Sequence, residues 1–254
     1  HLIRSWKTRA VMFKPDGSVG VPAEMLYKKN VLTIRGSFKP VTKLNVDMIE
    51  QGQKAFSELE WVEIDNTILI AEISLNDLQG HDANMSEKDI LERVRLLNLL
   101  GYNVLVSDYT RYFSLRAYFR QFTNHPIGIV VGMINIKQIF DVEFYRGLEG
   151  GILEGFGKLF PDNTRLFVYP ELDDKGVLND LSNVTVPSNL RYLYRHLVEN
   201  DFIKGIETSN IDLFSIYSRE ILKQLARGSD EWQQALPDTV VEEIIKHKLF
   251  GYRG

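Results

Sequence analysis

Val31-Leu32-Thr33-Ile34-Arg35-Gly36-Ser37-Phe38-Lys39-Pro40-Val41-Thr42-Lys43-Leu44-Asn45-Val46-Asp47-Met48 passes from an apolar run through a glycine turn into a helical pattern. A short β-branched and aliphatic run at 31–34 has the composition of a strand. It breaks at Gly36-Ser37, Pro40 stiffens the turn, and a helix follows over 46–59. A strand, a glycine turn and a helix in that order aim backbone N–H groups and the positive end of a helix dipole at phosphate. Gly36, Ser37 and Phe38 are therefore candidates for an anion cradle, and Lys39 and Lys43 add positive charge beside it.

Outward from this turn, the order is regular. Strands are expected at 67–73, 103–106, 127–131 and 164–169. Ser86 reads as an N-cap, with Asp89 three positions on, for a helix in which Ile90, Leu91, Val94, Leu97 and Leu100 recur at helical spacing before Gly101 ends it. An aromatic-rich helix is expected at 112–122. Strands alternating with helices imply a mostly parallel sheet covered on both faces, so the fold class is α/β, Rossmann-like and doubly wound. Ligands of such sheets sit beyond the carboxyl ends of the strands, where Gly36 and Gly132 fall.

The last third is helical, with periodic segments at 188–200, 214–226 and 238–247. Turn signals at Lys14-Pro15-Asp16-Gly17 and Val21-Pro22 suggest an N-terminal hairpin or arm ahead of the main fold. The expected organisation is 1–30 as that arm, 31–186 as the Rossmann-like core and 187–254 as a helical part packed on it.

Composition narrows the function classes. The chain has 254 residues, 44% of them hydrophobic and 25% charged, which is globular composition with room for a sizeable core. Its 34 acidic and 30 basic residues give a net charge of −4. No basic cluster exceeds pairs such as Lys28-Lys29, so no nucleic-acid footprint is read. With no cysteine, disulfide, thiolate and thiolate-zinc chemistry are excluded. No apolar run approaches the ~20 residues of a membrane span, so a soluble, cytoplasmic protein is expected. The first residue is His1 rather than Met, which reads as a processed product or a part of something longer. A homo-oligomer or an additional upstream domain is left open.

The turn also resembles the signature of the nucleotidylyltransferase superfamily, closest to the nicotinamide and nicotinate mononucleotide adenylyltransferases, some of which carry Gly-Ser-Phe-x-Pro-x-Thr-x-x-His. Here Thr42 matches the Thr, and Asn45 stands in place of the His. Ile129-Val130-Val131-Gly132-Met133 resembles a strand end that the family continues as Gly-Ala-Asp, with Ile134 in the place of the Asp. Residues 216–228 resemble the second signature, Ile-Ser-Ser-Thr-x-Ile-Arg. Ser218 and Ile221 fit it, Arg219 holds the Thr position, and Leu222 replaces the Arg. The tail from Leu236-Pro237 to Phe250 resembles the family's Val-Pro-x-x-Val-x-x-Tyr-Ile ending.

This resemblance implies adenylyl transfer from ATP, with Mg²⁺ on its phosphates, to a mononucleotide-type acceptor with release of pyrophosphate. It assigns Asn45 and Lys39 to catalysis, and Gly36, Ser37, Phe38, Thr42, Gly132, Ser218 and Arg219 to nucleotide binding. The partner expected is a small-molecule nucleotide, with no dedicated protein metal site. An Asn donates a hydrogen bond but carries no proton for acid catalysis, a role worth about 10²–10⁴ in rate. A nucleotide-binding or regulatory domain that has lost the chemistry is thus the alternative, and a pure interaction domain a third.

Weaker features complete the reading. His81 and Asp82 in a polar loop are read as solvated rather than metal-ligating, and His125 as serving the turn before Pro126. Tyr109, Tyr112, Phe113, Tyr118, Phe119 and Phe122 are expected in the core rather than stacking a base. The glycines between 147 and 157 fit the approach of a ligand or of a partner subunit, or close helix packing.

Overall fold

The structure is a computed structural model that describes residues 8–75, 86–161, 163–173 and 175–253. His81 and Asp82 lie outside those residues. Eight strands form one sheet in the order β10-β7-β6-β3-β4-β5-β1-β2. They are β1 Ala10–Phe13, β2 Val19–Gly20, β3 Asn30–Arg35, β4 Thr67–Ser74, β5 Asn103–Ser107, β6 Ile127–Gly132, β7 Thr164–Tyr169 and β10 Ile203–Gly205. β8 Glu171–Leu172 and β9 Leu178–Asn179 make a separate small hairpin. β3 pairs in parallel with both β4 and β6, so the strand order reverses direction at β3 and opens a crevice between β3 and β6.

Side chains alternate across the sheet as the pleat demands. Leu32 and Ile34, Val130, and Phe167 and Tyr169 face one core cluster. Val31, Ile129 and Val131, and Leu166 and Val168 face the other. Helices α2 Lys43–Ser57, α3 Glu87–Leu99, α8 Ser218–Arg227 and α9 Asp238–His247 cover the first face. Helices α4 Tyr112–Arg120, α5 Met133–Ile139, α6 Gly151–Leu159 and α7 Arg191–Glu199 cover the second. A short α1, Pro22–Met25, follows β2.

Several elements differ from the sequence reading, each for a local reason. The N-terminal hairpin is part of the sheet rather than an arm ahead of it, because β1 pairs antiparallel with β5 along Ala10–Phe13. Helix α2 begins at Lys43 rather than at 46. Thr42 caps it: its hydroxyl accepts the Asn45 N–H at 3.2 Å, and Asn45 Oδ1 accepts the Thr42 N–H at 3.0 Å. Such a capping box is worth about 1 kcal/mol. The segments at 188–200 and 214–226 each open as 3₁₀ turns before α7 and α8. Ser86 caps α3 as expected, accepting the Asp89 N–H at 3.1 Å, while the Asp89 carboxylate turns away to Arg93 and Lys39.

The aromatic set is core: Tyr109, Tyr112, Phe113, Tyr118 and Phe119 are buried and Phe122 packs against them. His125 does serve its turn, donating its N–H to Thr123 Oγ1 and accepting from Arg120. In the glycine-rich segment, a Cβ at Gly155 would come within 2.2 Å of the Tyr145 ring, which favours close packing there.

Asp47, buried in α2, ties the C-terminal segment to the sheet. Its carboxylate accepts from Tyr169 at the end of β7, from Thr208 at 3.1 Å, from Asn210 at 2.6 Å and from Gln51 at 3.2 Å. Asp47→Ala leaves these donors without their acceptor, so a loss of about 3 kcal/mol is expected in urea unfolding, and a smaller loss for Asp47→Asn.

Burial also pushes the phenols of Tyr118 and Tyr194 up to about 12. A raised phenol favours the neutral form in the fold, so its contribution is complete below the unfolded value near 10 and is lost as pH climbs toward 12. Thermal melting should therefore be insensitive to these two groups up to pH ~10, and Tm should fall above it in step with tyrosinate absorbance.

Candidate functional site

The crevice between β3 and β6 is bordered by the 36–42 turn and by Gly132. On the other side of β3, toward β4 and β5, lies a buried ion pair. Arg35, the last residue of β3, pairs with the fully buried Glu72 of β4 through Nε at 2.5 Å and Nη2 at 3.2 Å. Two further donors reach the carbonyls of Thr110 and Tyr109, each at 2.7 Å, and its guanidinium lies 4.7 Å from the Tyr112 ring centroid. Ser107 of β5 donates to Glu72 Oε1. One buried ion pair thereby joins the carboxyl ends of three strands.

The turn above it departs from the expected open cradle. The Gly36 N–H continues the ladder by donating to the Glu72 carbonyl at 3.1 Å, so it is not offered to a ligand. The Phe38 ring covers Gly36, and a Cβ there would stand 2.8 Å from its Cζ. Phe38 is 2% exposed and holds a left-handed backbone, φ 47°, which a bulky residue adopts only where its surroundings enforce it. The Ser37 carbonyl accepts from Arg93 Nη1 of α3 at 3.0 Å. Gly36 serves the packing of this ring, and the turn is held in place from both sides.

The cations of the turn have partners as well. Lys39 pairs with Asp89 at 3.0 Å, and Lys43 donates to the Gln234 carbonyl at 2.9 Å. Asn45 spends its amide oxygen on the Thr42 N–H and hydroxyl. What the turn retains for an anion is the start of the 15-residue α2, where the capping box takes the Thr42 and Asn45 N–H groups and leaves the amides of Lys43 and Leu44 with no acceptor within the helix. At the facing strand end, the Gly132 N–H donates to Asn135 Oδ1 at 3.2 Å, and a Cβ at Gly132 would meet only that atom, at 3.8 Å. Close approach at that point is therefore open.

Ser218 and Arg219 are the first two residues of α8. Among the described residues, neither makes a hydrogen bond or ion pair with the turn. The buried side of α8, Ile221 and Leu225, shares a core cluster with Phe38 and Val41, and Leu222 packs against that cluster. Ile134 is 63% exposed beside Gly132.

Sequence reasoning passed over Arg35, Glu72, Arg93 and Asn135. Two of them carried a signal: Glu72 is the lone charge in the apolar run of β4, and Arg93 interrupts the apolar stripe that runs through Ile90, Val94 and Leu97.

No family model matches the sequence, and no curated protein does. Solved structures do. A Plasmodium falciparum nicotinic acid mononucleotide adenylyltransferase complexed with NaAD aligns with a TM-score of 0.53 at 16% identity, over 89% of this chain and 98% of that one. The chain shares the fold of that enzyme. A second structure of the Plasmodium falciparum enzyme, complexed with APC, aligns at 0.48 and 16% identity, over 89% and 98% of the two chains. A Vibrio parahaemolyticus protein described as a putative nicotinate-nucleotide adenylyltransferase gives 0.39 and 14%, over 89% and 97%. Among the described residues no helix is long and apolar enough to cross a membrane, and no group of three His, Asp or Glu side chains could hold a metal ion.

Gly36→Ala tests the role given to the ring. Its φ is not left-handed, so the substitution should fail for want of room, costing about 1–3 kcal/mol. In urea unfolding the loss should shrink in a Phe38→Leu background; equal losses in both backgrounds would place the constraint elsewhere.

Proposed function

We propose that this protein binds ATP at the β3–β6 crevice and transfers its adenylyl group to a phosphorylated acceptor of the nicotinate or nicotinamide mononucleotide type. An acceptor phosphate oxygen attacks the α-phosphorus, the α–β bridging P–O bond breaks, and pyrophosphate leaves with the bond electrons. The observation that carries this reading is the preorganised turn, with Phe38 in a left-handed conformation, Thr42 capping α2 and open room at Gly132, in a chain with an adenylyltransferase fold. The catalysis asked of such a site is mostly positioning and charge neutralisation. Residues 31–186 would carry the nucleotide, and 187–254 would close the face above the turn.

In this reading the α2 amides and Lys39 neutralise the phosphates, and Ser218 and Arg219 approach from α8. Mg²⁺ would be held by ATP phosphates and water rather than by a protein cage. A second reading, binding without turnover, is favoured by one observation: Asn45 Oδ1 is engaged by Thr42, and an amide cannot act as an acid.

Pyrophosphate release is the test, measured with ATP, Mg²⁺ and a panel of nicotinate, nicotinamide and other mononucleotides. One acceptor should support turnover, and Asn45→His should raise kcat by on the order of 10² if the missing function is acid catalysis. Binding of ATP by calorimetry with no turnover from either protein would select the second reading. No ATP affinity at all would remove both.

A further inference from the structure

Asp89 lies in the first turn of α3, with its backbone N–H satisfied by Ser86 Oγ. Its two carboxylate oxygens are divided between cations from different elements: Oδ1 takes the Lys39 ammonium of the turn at 3.0 Å, and Oδ2 takes Arg93 Nη2. Arg93 is wholly buried and its other terminal nitrogen holds the Ser37 carbonyl. Lys39 and Asp89 keep 22% and 16% of their side chains exposed. A small oxyanion thus bridges a lysine and an arginine beside the phosphate turn, which is the set of charge-assisted donors a phosphate oxygen would take. The two cations have unequal freedom. Arg93 is fixed in the core on a backbone carbonyl, whereas Lys39 has a flexible stem and a partly exposed head.

We propose that the Asp89 carboxylate is an internal stand-in for nucleotide phosphate, holding Lys39 in reserve until a phosphate draws the ammonium away, while Arg93 stays as the positioning residue of the turn. The inference rests on the nucleotide-binding reading above and extends it to regulation of affinity at the same site. Two consequences follow from the charges. Every phosphate bound pays for breaking the Lys39–Asp89 pair, and Asp89 itself repels the incoming anion.

Inorganic pyrophosphate titrated calorimetrically into wild type and Asp89→Asn reads this directly. Asp89→Asn keeps the backbone N–H that Ser86 caps while removing the Asp89 charge from the Lys39 ammonium and from the incoming anion, and should bind pyrophosphate about tenfold more tightly, the scale of one charge-assisted hydrogen bond. Lys39→Met is the second variant. It should abolish that gain, weakening Asp89→Asn by about tenfold and wild type by distinctly less, because in wild type the ammonium is already engaged. Equal affinity of wild type and Asp89→Asn, or the same effect of Lys39→Met in both, would overturn the inference and leave the nucleotide reading standing. Binding by Asp89→Asn alone would support it in its strongest form. No binding by either protein would remove both.

Discussion

The Arg35–Glu72 pair is the constraint on which the candidate site depends. Burying two charges costs several kcal/mol, which is recovered only when geometry and further hydrogen bonds are good. Both conditions are met: the contact is bidentate, Ser107 donates to Glu72, and the carbonyls of Tyr109 and Thr110 each take a further guanidinium donor. Such a pair adds little net stability over a well-packed apolar alternative. What it supplies here is a fixed relation between the ends of β3, β4 and β5, from which the 36–42 turn departs.

On that base the turn is built by packing rather than by glycine freedom. The Phe38 ring over Gly36, the Arg93 contact to Ser37 and the Thr42–Asn45 cap each remove a degree of motion. The charges near it are internalised in the same way, Lys39 on Asp89 and Lys43 on the Gln234 carbonyl. A site of this kind is preorganised in backbone and guarded in charge, so under the proposed reading its affinity for an anion would be the difference between two sets of ion contacts.

The strands of the parallel core were readable because each is a β-branched run bounded by turn signals, and β3 through β7 stand where that pattern puts them. β10 is three residues long, and β1 is recognisable only through its pairing with β5, which is non-local. The helix starts at Lys43 and Ser218 were misplaced because caps and 3₁₀ turns are set by single hydrogen bonds, not by periodicity. In the site, the turn was visible in the sequence but its internal economy was not. Nothing in Gly36-Ser37-Phe38 announces that the ring folds back on the glycine, or that Arg93, 56 residues on, holds the carbonyl between them.

Three of the replaced signature positions, Asn45, Ile134 and Leu222, differ in how deeply the replacement is built in. Ile134 is exposed, so a polar residue there would disturb no packing. Asn45 is half-buried and has taken over a cap, so exchanging it removes one hydrogen-bonded pair at a helix end, a matter of about 1 kcal/mol. Leu222 packs on the core shared by Ile221, Leu225 and Phe38, and a cation placed there would have to be accommodated against that apolar surface. In the proposed adenylyl transfer the cations would therefore come from the turn and from Arg219, because the position at 222 is committed to packing α8 on the core.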